Sequence, residues 1–68
     1  MNEIIFLIEE DPEGGYIAKA IGEDIITDAD TLKELKENIR DAVECHFEEE
    51  KRPKLIRLHM IKEEVISA

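Results

Sequence analysis

The sequence predicts a single α+β domain of order β-β-β-α-β: an antiparallel meander, one helix packed on one face of the sheet, and a C-terminal fourth strand. Three observations predict it. Residues 3–9 (EIIFLIE) are a short run rich in Ile and Phe, which suits a strand. The turn-forming stretch Asp11-Pro12-Glu13-Gly14-Gly15 follows at once. From Leu32 onward the apolar residues adopt helical spacing. The 68 residues are read as one domain, with no repeat, linker or low-complexity segment. A chain this short buries a small core, and oligomerisation or a partner is a common remedy.

In the first strand Ile4, Phe6 and Ile8 point one way, and Ile5 and Leu7 the other. A strand apolar on both faces is expected to be central. Pro12 presets φ for the turn, and the paired glycines accept positive φ. Residues 16–21 (YIAKAI) are expected to return antiparallel to the first strand. Gly22-Glu23 then reads as a two-residue type II′ link, with a short third strand over residues 24–27.

Asp28-Ala29-Asp30 ends the sheet, and Thr31 with Glu34 forms a capping box. A stripe of Leu32, Leu35, Ile39, Ala42, Val43 and His46 or Phe47 predicts a helix from Thr31 to about Glu48. Pro53 disfavours helix at Arg52. Residues 54–62 (KLIRLHMIK) read as the fourth strand, with Ile56, Leu58 and Met60 on one side. Leu55, Arg57, His59 and Ile61 take the other side, and Glu63–Ala68 extends the strand or forms a tail.

One helix covers one sheet face. The opposite face is assigned an apolar set drawn from Ile5, Leu7, Tyr16, Ala18, Leu55 and Ile61. An uncovered patch of that size marks an interface, with a protein partner or with further copies as a dimer or tetramer.

Eighteen acidic against nine basic residues give a formal net charge of −9. That surface repels phosphate backbones, so no direct nucleic-acid contact is expected. It attracts a basic protein and also promotes solubility. The lone Cys45 excludes an internal disulfide framework and fits a reducing compartment. The N-terminus has no basic leader, and the run Ile4–Ile8 is too short to span a bilayer. A soluble cytoplasmic protein is expected.

Reactive residue types occur but form no recognisable constellation. Cys45 and His46 are adjacent on the helix and therefore diverge, whereas a nucleophile and its base must meet. His46 and His59 lack carboxylates at ligand spacing. Asp28 and Asp30, near Glu23 and Asp24, invite comparison with a carboxylate metal site, but turn and cap chemistry explains Asp at these places. Gly14-Gly15 has neither the spacing nor the Lys of a phosphate loop. No catalytic, cofactor-binding or metal-binding residue is expected, and the protein is read as a non-enzyme.

The segments Asp-Pro-Glu-Gly-Gly-Tyr (11–16), Asp30-Thr31-Leu32, Glu34, Glu37-Asn38-Ile39, Asp41-Ala42-Val43 and Phe47 together resemble the N-terminal domain of HicB-type antitoxins. The likeness runs over residues 3–47. It implies a partial ribonuclease-H-like β-β-β-α-β topology without that enzyme's catalytic residues. It also implies a cytoplasmic antitoxin that masks a small basic RNA-cleaving toxin of the HicA type. Members commonly form dimers or tetramers. The family's Pro-x-Leu-Pro-Gly-Cys segment between strands two and three is missing here, where the corresponding stretch is only Ala20–Ile25 and the hairpin is read as shortened, so no toxin-contacting residue transfers from that loop. No DNA-binding domain is expected after the fourth strand. The alternative expectation is a self-associating structural module that has lost toxin binding.

Overall fold

Asp11 organises the first turn. Its Oδ1 accepts from the Glu13 amide at 2.9 Å. Its carbonyl accepts from Gly14 N at 2.9 Å, and its own amide donates to the Gly15 carbonyl at 3.0 Å. Those bonds close the hairpin between β1 (Glu3–Glu10) and β2 (Tyr16–Ala20). In the computed structural model, which describes residues 2–68, the chain continues through β3 (Ile26–Ala29) and α1 (Leu32–His46). A 3-10 turn at Glu49–Lys51 leads to β4 (Leu55–Ile61). The order is the expected β-β-β-α-β of an α+β fold.

The strands form one mixed sheet in the order β3-β2-β1-β4. β1 is an inner strand, as its two apolar faces required. It pairs antiparallel with β2 and parallel with β4. The register sets Ile4, Phe6 and Ile8 beside Ile56, Leu58 and Met60 of β4, and sets Ile8 opposite Ala18 of β2. This side of the sheet faces α1. Leu35, Ile39 and Val43 of the helix join Ile4, Phe6, Ile8, Ala18 and Ile25 in the buried core, with Leu32, Ala42 and Phe47 packed around them.

Thr31 caps α1, its Oγ1 accepting from Glu34 N at 3.1 Å. The helix stops at His46, two residues before its expected end, because Phe47 turns extended (φ −113°, ψ 141°) and its amide bonds the Val43 carbonyl. Arg52 donates from Nη2 to the Glu44 carbonyl at 3.3 Å, satisfying one of the free carbonyls of the last turn.

The β2–β3 connection is longer than the two-residue turn read at Gly22-Glu23. Ala20 N bonds the Ile25 carbonyl at 3.0 Å, and β3 begins only at Ile26. Ile25 leaves the ladder and is buried in the core. Burial of that side chain, in place of strand pairing at Asp24 and Ile25, accounts for the shift.

Candidate functional site

The two-residue period of the strands fixes what lies on the helix-free face. β1 contributes Ile5 and Leu7, β2 contributes Ile17 and Lys19, and β3 contributes Ile26 and Asp28. β4 contributes Leu55, Arg57, His59 and Ile61. No described element packs on this side. Ile26 is 67% exposed, Leu55 61% and Ile61 38%.

Two residues expected on this face lie on the other. Ala18 pairs with Ile8 and is fully buried in the core. Tyr16 pairs with Glu10 and Ala29 and packs against the same core. The hairpin closed at Asp11 and Gly15 dictates this register. A small side chain at 18 also lets the helix approach the sheet closely. Ile17 and Ile26 take their place on the open side. Neither stood out in the sequence, since Ile17 is flanked by the equally plausible Tyr16 and Ala18.

The face is a mosaic and not a uniform patch. Leu7 lies between Lys19 and His59, and Ile5 lies beside Arg57. Long neighbouring side chains, not a second layer, leave Ile5 and Leu7 half-buried. Glu3, Glu9 and Asp28 border them, and Glu3 is paired with Arg57.

The residues weighed for catalysis are dispersed. Cys45 is an exposed free thiol. His46 contacts the edge of the Phe47 ring, with centroids 4.9 Å apart, and its Nε2 lies 3.2 Å from Glu23 Oε2. His59 is on the helix-free face of β4. Asp28 sits in β3 with its carbonyl accepting from Asn38 Nδ2 at 3.0 Å, whereas Asp30 lies beyond the strand. Among the described residues no three His, Cys, Asp or Glu side chains gather to hold a metal ion. No described helix is long and apolar enough to cross a membrane.

No family model and no solved structure matches the chain. It is 60% identical over 55 residues to a UPF0150 protein of Archaeoglobus fulgidus, an alignment covering 81% of this chain and 82% of that protein. It is 43% identical over 66 residues to a UPF0150 protein of Thermotoga maritima, covering 97% of this chain and 93% of the relative. At these identities, over four-fifths or more of both chains, a shared fold follows, and the chain belongs to the UPF0150 family.

Proposed function

We infer that the protein is a non-catalytic, HicB-like interaction domain that works as an antitoxin in the cytoplasm, binding and masking a small basic RNA-cleaving toxin of the HicA type. The observation that carries the reading is the uncovered sheet face, where Ile5, Leu7, Ile17, Ile26, Leu55 and Ile61 have no second layer of the described residues against them. Apolar side chains held on a rigid sheet and ringed by charge suit a protein interface. The net charge of −9 favours a basic partner by speeding encounter. The Gly-Gly-Tyr hairpin and the capped Asn38-Ile39 helix support the HicB likeness.

The test is the gene neighbourhood followed by reconstitution. A small basic reading frame should lie alongside, its product should cleave RNA alone, and addition of this chain should silence it. Absence of any such neighbour, together with no small basic protein recovered by the tagged chain from its host, would sink the toxin reading. A second reading, self-association without a toxin, is favoured by the long unpaired edge of β4.

A further inference from the structure

The two edges of the sheet differ. β3 is four residues long and carries Asp28. Short, charged edges resist pairing with other strands. β4 is seven residues long, contains no proline, and leaves Leu55, Met60 and Ile61 exposed. Its free edge offers backbone donors and acceptors to another strand.

Two further features lie along this edge. A groove of about 310 Å³ runs between α1 and the first half of β4, floored by Ile39, Leu55, Ile56 and Leu58 and rimmed by Lys36, Arg40 and Lys54. In a chain of net charge −9 this is a local concentration of positive charge. Beyond Ile61, the segment Lys62–Ala68 is exposed, with Val65 at 93% and Ile66 at 82%. Lys62 and Glu63 flank the Glu9–Pro12 end of the first hairpin, and Val65 and Ile66 project beyond it. The segment offers two carboxylates, Glu63 and Glu64, followed by two aliphatic side chains. The groove offers the complement.

We propose that β4 pairs antiparallel with β4 of a second copy about a two-fold axis near Met60, each copy's 62–66 segment running along the groove of the other. Antiparallel pairing about that point sets Glu63 opposite Arg57, Glu64 opposite Ile56 and Val65 opposite Leu55 of the second copy. Side-chain alternation then turns Glu64 toward Lys36 and Arg40, and Glu63 toward Arg57. The chain's own tail does not meet the groove. A tight turn at Lys62-Glu63 has no Gly, Asn or Pro to form it. Even so formed, it would bring Val65 and Ile66 only to Met60 and His59, short of the groove at 54–58. The occupant is therefore a second copy. The inference deepens the expectation of a homo-oligomer and does not rest on the toxin reading.

Sedimentation equilibrium on the full chain tests it. The wild type should be a dimer. Glu63→Lys/Glu64→Lys and Lys36→Glu/Arg40→Glu should each raise the dimer Kd roughly ten- to a hundred-fold, as several exposed pairs become repulsive at once. An equimolar mixture of the two variants should recover part of wild-type dimerisation, since the charge at position 64 of both tails then meets a groove of opposite sign, while the reversed charge at 63 still faces Arg57. Circular dichroism confirms that each variant is folded. A monomeric wild type would overturn the proposal and self-association with it. A wild-type dimer indifferent to both charge reversals, or one lost on Leu7→Glu while indifferent to them, would overturn the edge pairing alone.

Discussion

Gly15 is the position where one methyl group should do most damage. Its φ is +84°, and a Cβ there would stand 2.8 Å from the Ala29 carbonyl oxygen and 3.4 Å from the Asp30 Cα. Both are backbone atoms. Ala29 cannot retreat easily, because it pairs with Tyr16 at the end of β3 and packs on the core. Left-handed backbone costs an L-residue about 1–2 kcal/mol. The loss of unfolded-chain freedom on Gly→Ala returns about 0.4–1 kcal/mol. Forcing a methyl into a filled space adds about 1–3 kcal/mol. Gly15→Ala should therefore destabilise the fold by about 2–3 kcal/mol. That is a large share of the roughly 3–10 kcal/mol expected for a domain of this size. The melting temperature should fall by about 10–20 °C.

Gly22 supplies the control. Its φ is +81°, but nothing lies within 4 Å of its would-be Cβ. Gly22→Ala carries the backbone terms without the collision, and should cost about 1 kcal/mol or less. Urea and thermal denaturation followed by circular dichroism would give both values. Equal losses in the two variants would refute the argument that contact with β3, and not φ alone, demands glycine at 15.

Thr31→Ala removes the side-chain bond to the Glu34 amide and should cost about 1 kcal/mol in a urea melt. Ile39→Ala empties a fully enclosed position between helix and sheet and should cost about 2–5 kcal/mol by the same measure. Leu7→Glu places a charge at the centre of the helix-free face, where the side chain is only half-buried. The fold should survive with a loss of about 1–2 kcal/mol, while binding of the proposed basic toxin in a pull-down should be abolished. A folded Leu7→Glu chain that binds as well as wild type would remove that face from the interface. Glu23→Gln should change stability by less than about 1 kcal/mol, because its contact with His46 is solvent-accessible on both sides.

The elements were legible where local chemistry speaks for itself. Asp11-Pro12-Glu13-Gly14-Gly15 could hardly be anything but a turn, and Thr31 with Glu34 marked the helix start. The inner position of β1 followed from its two apolar faces. Its parallel pairing with β4 did not, since residues far apart in sequence carry no local sign of strand direction. β2 was misread by face because Tyr16-Ile17-Ala18-Lys19-Ala20 has no clean alternation. Pairing outward from the Asp11–Gly15 closure places Ala18 opposite Ile8, so the turn held the answer that the strand's own pattern hid. Ile25 was misplaced because an isoleucine entering the core from a loop looks the same in sequence as one in a strand.

The sheet presents two kinds of unsatisfied surface, and they face different directions. The β4 edge lacks hydrogen-bond partners in the plane of the sheet, whereas the helix-free face lacks apolar contact perpendicular to it. Edge pairing would continue the sheet across the two-fold axis and lay two helix-free faces side by side without covering either. Leu55, Arg57, His59 and Ile61, on the last strand before the axis, would take part in both surfaces. Lys19, Arg57 and His59 lie on the helix-free face, whereas the exterior of α1 mixes Glu34, Glu37, Asp41 and Glu44 with Lys33, Lys36 and Arg40. A basic partner drawn in by the field of the whole chain would be steered by the acidic border of the face at Glu3, Glu9 and Asp28, and held by Ile5, Leu7, Ile17 and Ile26. Steering and holding then depend on separate residues, so a dimer joined at β4 can display two binding faces at once and the two associations need not compete.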